Sequence, residues 1–384
     1  MIEMIRREWL SKPFQNILAG IVVSLALIPE VIAFSVIAGV DPMVGLYASF
    51  VIAVVIAFTG GRSAMISAAA GAIALLVFSL VKTHGVDYLF AATILMGILQ
   101  VIFGIFKVGN LLKYIPNTVM IGFVDSLAIL IFTSQLQHIF NINGMTYIFT
   151  VATIIIVYFI PKFFTKVPAP LIAVVLLTTI SIMTHADVRT VGDLGEIKRT
   201  LPHFFIPDVP LNFETLKIIF PYSLSMAVVG LVESLLTARI VDDTLKTDSD
   251  KNKESRGQGI ANIITGFFGG IGGCAMIAQT VMNLKSGGTT RLSSIATGTF
   301  LMFLIIVLGD YVVQIPMSIL AGIMVVAAIS TFDFGTFKFL KNARWIEIMV
   351  VLVTIILVLM THNLAIGVIA GSVLNFVFNK KEVA

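Results

Sequence analysis

Three acidic residues stand inside apolar runs, where an ionisable side chain costs about 2.5 to 3.5 kcal/mol on insertion scales, and each is therefore a candidate for chemistry. Glu233 lies deep in a run that begins near Leu216, and Thr237 follows four residues later. On a helix that spacing aims a carboxylate and a hydroxyl at one point, a pairing that suits a sodium ion or a proton. The blander reading is a protonated Glu233 bonded to a neighbouring backbone. Glu30 follows Pro29 in the middle of the first run, and proline frees a carbonyl that Glu30 either uses functionally or simply satisfies. Asp125, inside the fifth run, is either a proton-linked site or, slightly favoured, an interhelical hydrogen-bond partner.

A different chemistry is written into the run Gly269-Gly270-Ile271-Gly272-Gly273-Cys274-Ala275-Met276, which is too flexible to open as an ordinary helix. Helical character resumes over Ala275 to Lys285, and a backbone break followed by a helix start offers free N–H groups and a partial positive charge. Such a start holds an anion without a basic side chain. Gly273, Cys274, Ala275 and Met276 are the candidates there, with Gln279 one turn on. Ser67-Ala68-Ala69-Ala70-Gly71-Ala72 is the equivalent element earlier in the chain, contributing Ser67, Ala69, Ala70 and Gly71. Phe34 is counted among the anion-binding candidates. Close packing of helices through small residues is the alternative for both elements. No Lys or Arg falls in the middle of a run, so opposed helix ends must supply the attraction. An anion so held gains from a cation beside Glu233, which argues for cation-coupled symport over simple exchange.

The elements that must position these residues are membrane helices. Of 384 residues, 58% are hydrophobic and 12% charged, with a mean hydropathy of +1.03. Soluble domains carry about twice that charge, so water is not the main solvent. Runs of about 20 apolar residues without period-two alternation indicate helices rather than a barrel. The net charge of +4 reflects basic residues in cytoplasmic loops, not nucleic-acid binding. Cys274 alone makes no internal disulfide, and five scattered histidines build no metal cluster.

Breaks at Gly, Pro and charge clusters divide the chain into fourteen candidate spans, from 15–38 to 363–379. Spans 65–80 and 275–285 are too short to cross alone and read as half-membrane helices. With the N-terminus inside, only Lys82, Arg189, Lys198, Arg199 and Lys217 of the 25 basic residues fall outside. Both termini are thus expected in the cytoplasm of a plasma-membrane protein. Residues 1–13, carrying Arg6, Arg7 and Lys12, read as a cytoplasmic segment rather than a cleaved signal. Residues 241 to 257 form a cytoplasmic polar stretch.

Phe103, Gly109, Ile115, Pro116 and Gly122 recur 200 positions later as Phe303, Gly309, Ile315, Pro316 and Gly322. Gly60-Gly61 and Gly269-Gly270 each precede a suspected half-helix. Residues 14–185 and 216–384 are expected to be two seven-span repeats, joined by an external linker over 186–215. An odd number of spans per repeat inverts the second copy, an arrangement whose site lies at the repeat interface.

The residues resemble the SulP sulfate permease and anion transporter family over nearly the whole chain. The resemblance is carried by Ile28-Pro29-Glu30, Ala38-Gly39-Val40-Asp41-Pro42, Gly45-Leu46-Tyr47, Glu233-Ser234-Leu235-Leu236-Thr237 and Gln258-Gly259-Ile260-Ala261-Asn262. It is densest from Gly269-Gly270 through Ala275, Thr280 to Asn283, Ser286-Gly287-Gly288, Thr290-Arg291-Leu292-Ser293 and Ile315-Pro316. It implies an all-α polytopic fold with core and gate domains, an anion between the half-helices of spans 3 and 10, a homodimer and elevator-like movement. It also implies that Glu233 is the acidic position that helps bind sodium or a proton in cation-coupled members. Three departures stand out: Glu30 where Gln is usual, Gln279 where many members carry Arg, and no STAS domain after the last span.

The expected function is symport of bicarbonate or sulfate with Na+ or H+, with Na+ held by Glu233 and Thr237 if sodium is the coupling ion, and no other cofactor. A nucleobase or dicarboxylate symporter of the same fold would need more polar pocket residues than Gln279 and Asn283. An anion channel is the other alternative. An enzyme would need paired aspartates or clustered histidines within the spans, and the sequence offers neither.

Overall fold

Proline and cap residues set where the helices begin. Pro42 occupies the first turn of a helix whose cap, Asp41, accepts a hydrogen bond from the Met43 N–H at 2.8 Å. Asn143, Asn212 and Asp250 cap three further helices in the same way. The computed structural model describes residues 8–109, 115–140, 142–162, 168–193 and 200–378. The first half holds α1 (Pro13–Ala38), α2 (Pro42–Thr59), β1 (Ser67–Ala69), α3 (Gly71–His84), α4 (Val86–Ile105), α5 (Asn117–Ile139), α6 (Gly144–Phe159) and α7 (Ala169–Thr184). The second holds α8 (Phe213–Leu245), α9 (Lys251–Phe267), β2 (Gly273–Ala275), α10 (Ile277–Lys285), α11 (Arg291–Val313), α12 (Met317–Thr331), α13 (Gly335–Asn342), α14 (Trp345–Thr361) and α15 (Leu364–Phe378).

Eight of these stretches are long and apolar enough to cross a membrane, and four shorter apolar helices accompany them. The protein is a multi-pass, mostly helical membrane protein. Its exterior carries large apolar side chains such as Ile148, Val151 and Ile155 along one face of α6, the arrangement a lipid-facing helix requires.

Three sequence expectations change. The fold is not wholly α: the breaks at Gly60-Gly61 and Gly269-Gly270 lead into two short strands, because extended backbone here finds a strand partner. The polar stretch expected over 241 to 257 is largely helical, since α8 runs on to Leu245 and Asp250 caps α9 at Lys251. The short amphipathic α13 escaped the hydropathy reading because it is polar on one side. Residues 1–7 of the expected cytoplasmic segment lie outside the described residues, as do 379–384.

The helices pack in two groups. One joins α1 to α4 with α8 to α11; the other joins α5 to α7 with α12, α14 and α15. Packing pairs recur across the two halves: α4 on α8 and α11 on α1, α9 on α4 and α2 on α11, α5 on α14 and α12 on α6. The last pair matches in atomic detail. A Cβ on Gly122 would lie 2.8 Å from Thr354 Cβ and 3.0 Å from the Val351 carbonyl; one on Gly322 would lie 2.8 Å from Thr153 Cβ and 3.0 Å from the Thr150 carbonyl. Both glycines let a neighbouring helix approach where any side chain would keep it off.

Candidate functional site: a strand crossing between two helix starts

β1 and β2 pair antiparallel, with Ser67 opposite Ala275, Ala68 opposite Cys274 and Ala69 opposite Gly273. A two-stranded sheet leaves both outer edges unpaired, which is untenable inside a membrane unless other groups bind them. Here side chains take that role. Ser49 Oγ accepts from the Ala69 N–H at 3.2 Å and Ser234 Oγ from the Ala275 N–H at 3.0 Å. Asn262 acts as a strand in miniature: its Oδ1 accepts from the Gly273 N–H at 2.9 Å and its Nδ2 donates to the Gly273 carbonyl at 3.0 Å. Thr280 Oγ1 accepts from the Ile66 N–H at 3.0 Å, and Gln258 Nε2 donates to Ser67 Oγ at 2.8 Å.

Glu254, Gln258 and Asn262 lie four residues apart on one face of α9, all fully buried. Glu254 Oε2 accepts from the Gly61 and Arg62 N–H groups at 2.7 and 3.1 Å, and its Oε1 from Gln258 Nε2 at 2.9 Å. One helix face thus holds both the Gly60-Gly61 break and the two strands. Replacing Asn262 with Leu strands a buried N–H and a buried carbonyl at Gly273, each worth about 1 to 3 kcal/mol. The Asn262→Leu protein is expected to lose roughly 2 to 6 kcal/mol of stability. A thermal unfolding midpoint equal to that of the parent would show that the clamp carries no such weight.

Each strand feeds a helix through one extended residue, Ala70 before α3 and Met276 before α10, and neither helix has a side-chain cap. Antiparallel strands followed by their helices send α3 and α10 away in opposite directions. Both helices therefore turn their N-terminal, partially positive ends toward the crossing. Ser67, Ala69, Ala70, Gly71, Gly273, Cys274, Ala275, Met276 and Phe34 all gather here, and all are buried. Phe34 packs so closely on Gly71 that a Cβ there would lie 2.7 Å from its ring. The crossing is closed to solvent in this conformation.

Two carboxylates reach it. Cys274 Sγ donates to Glu233 Oε2 at 3.2 Å, and Gln279 Nε2 donates to Glu30 Oε2. Thr237 departs from the expected pairing with the Glu233 side chain. Its hydroxyl donates to the Glu233 carbonyl at 2.8 Å and lies 3.2 Å from the Ala275 carbonyl. A helical hydroxyl four residues after a carbonyl reaches it readily, so local geometry prevails over the carboxylate. Asp125 joins a different part of the fold: its Oδ1 accepts from the Asp333 N–H at 2.9 Å, just past the end of α12. Sequence reasoning assigned no role to Ser49, Ser234, Gln258 or Asn262. The polar residues recurring every fourth position in α9 were the available signal.

The sulfate permease family model matches residues 14–157 and 137–354. A putative sulfate transporter of Bacillus subtilis, YbaR, is 56% identical over 374 residues, covering 97% of this chain and 78% of that protein. The bicarbonate transporter BicA of Picosynechococcus is 27% identical over 86% of this chain and 63% of its own length. Among solved structures, the transmembrane domain of a cyanobacterial BicA superposes with a TM-score of 0.84 at 25% identity, covering 94% of this chain and 97% of that one. The murine Solute Carrier 26 family member A9 anion transporter, in its inward-facing state, gives a TM-score of 0.84 at 19% identity and shares the fold. With a family model spanning most of its length and a relative of this similarity over nearly all of it, the chain is a member of the sulfate permease family.

Proposed function

We propose that this protein is a secondary transporter of a small inorganic anion, sulfate or bicarbonate, which binds at the strand crossing and moves together with a proton or a sodium ion. The observation that carries the reading is the crossing itself. Two helix starts turn their positive ends to one spot lined by small residues, with two carboxylates and no Lys or Arg among its candidate residues. The similarity to sulfate and bicarbonate transporters supports the substrate class.

Partial charges alone do not balance a divalent anion beside ionised Glu30 and Glu233 in a low-dielectric interior. A counter-charge must enter with it. The donor set favours a proton: Glu233 faces a thiol and Glu30 an amide, whereas the Thr237 hydroxyl is turned to carbonyl oxygens. A sodium ion at Glu233 and Thr237 would need that hydroxyl to swing toward the carboxylate.

The fold then reads as fourteen spans in a seven-plus-seven inverted repeat, with α3 and α10 as half-helices and α13 as an extra surface helix. The recurrence of packing pairs between the halves supports this. The group containing β1 and β2 acts as the core and the group of α5 and α12 as the gate, the core moving against the gate in an elevator-like cycle. Both termini face the cytoplasm of the plasma membrane, and the protein works as a homodimer.

Purified protein in proteoliposomes is expected to take up radiolabelled sulfate or bicarbonate saturably, driven by an inward proton or sodium gradient. Uptake of neither anion under either gradient overturns the proposal. Unitary currents without saturation would identify a channel instead.

A further inference from the structure

The two helix groups meet where α1 packs on α7 and α12, α3 on α5 and α8 on α15. These helices are made mostly of apolar residues, and apolar contact is non-directional, so one such surface slides over another at little cost. A hydrogen bond has a narrow geometry and does not slide.

Side-chain hydrogen bonds do cross this boundary. Tyr311, near the end of α11, donates its hydroxyl to the Val175 carbonyl of α7 at 2.8 Å and lies 3.1 Å from Thr179 Oγ1. Val175 and Thr179 are exposed on the outside of the helix bundle, the surface that faces lipid, so a parted Tyr311 hydroxyl finds little water to replace them. Asn363, in the turn between α14 and α15, donates from Nδ2 to Ser225 Oγ of α8 at 2.9 Å. Its Oδ1 accepts from the Ala365 N–H at 3.0 Å, so the start of α15 fixes the amide that reaches Ser225. Both bonds lie in the half of the molecule that carries the linker. A Cβ on Gly192 of the linker would lie 2.5 Å from Val313, two residues past Tyr311, and Ser225 belongs to the first half of α8, which the linker enters.

We propose that Tyr311 with Val175 and Thr179, and Asn363 with Ser225, are latches that hold the core group against the gate group in this conformation and must break whenever the core moves. The inference rests on the core-and-gate reading of the transport cycle. Neither latch shares a residue with the strand crossing, so both act on the movement and not on the anion. By the distribution of basic residues the linker half is the outer side, and the latches hold the outer ends of the two groups together.

The test combines Ser225→Cys with Asn363→Cys in the full chain, whose own Cys274 is buried and does not compete. Oxidation with copper phenanthroline should join the two cysteines and lower uptake of labelled sulfate or bicarbonate into proteoliposomes at least tenfold, with recovery on reduction. Cross-linked protein that takes up anion at the parent rate overturns the inference, as does failure of the pair to cross-link. A second readout needs no substrate. With Ser225→Cys alone, half-buried beside Asn363, the rate of maleimide labelling in detergent reports how often the groups part. Tyr311→Phe should raise that rate about threefold, the typical worth of one interhelical hydrogen bond in a membrane protein. An unchanged labelling rate in the Tyr311→Phe protein also overturns the inference. If the parent takes up neither anion and Tyr311→Phe still speeds labelling, the latches stand and the transport reading falls.

Discussion

In the Glu233→Gln protein, concentrative uptake should collapse while anion-for-anion exchange survives. Gln is a neutral replacement of nearly the same shape, so it mimics a carboxyl that has taken up its proton and can never release it. Cys274 keeps an acceptor for its thiol, now the amide oxygen, and the packing of α8 against β2 is undisturbed. Anion binding should therefore persist. What disappears is the link between the gradient and the loaded state, a coupling typically worth about 1 to 3 kcal/mol, or roughly 5- to 150-fold in accumulation. The measurement is counterflow exchange beside gradient-driven uptake in the same vesicles. Unchanged dependence on both pH and sodium in this variant removes Glu233 from the mechanism. Glu30→Gln makes the companion variant: a surviving gradient dependence there would assign coupling to Glu233 alone.

Substituting Ala275 with Phe should abolish transport. Ala275 is fully buried, paired with Ser67 across the sheet and bound through its N–H to Ser234. Its methyl packs with Ala64, Met65, Ala238 and Val241, so a benzyl group there overfills that cluster and pushes β2 out of place at the crossing. Overpacking costs about 1 to 3 kcal/mol, a fraction of typical domain stability, so folded protein should still be obtained. Substrate affinity should fall by at least about 100-fold, since a displaced β2 no longer sets the start of α10 against the start of α3. Ala275→Val should give an intermediate loss. Normal apparent affinity in both variants, with normal thermal unfolding, would exclude the strand crossing as the anion site.

Much of the local architecture was legible from residue types. Apolar runs punctuated by Gly and Pro located the helices because lipid leaves a backbone few other options. The glycine breaks were read correctly as interruptions but not as strands. Gly273 shows why: a Cβ there would lie 2.1 Å from the Ala68 carbonyl, so its smallness serves a partner about 200 positions away. Gly61 is similar, since a Cβ there would lie 2.1 Å from the Asp250 carbonyl. A glycine's flexibility is visible in sequence, whereas the neighbour it admits is not. Thr237 illustrates the converse. Its spacing from Glu233 predicted a shared face, but its hydroxyl turned to the backbone behind it.

The sequence by itself determined the solvent of this protein, the places where helices are interrupted, and which acids sit in costly positions. Those properties depend on composition and short-range periodicity, which act within a few residues. Only the tertiary structure decided that the two interruptions pair as strands, that Asn262, Gln258 and Ser234 close their edges, and that Asp125 belongs elsewhere. These are contacts between segments tens to hundreds of residues apart, and their energy comes from satisfying buried backbone groups that no local pattern reveals.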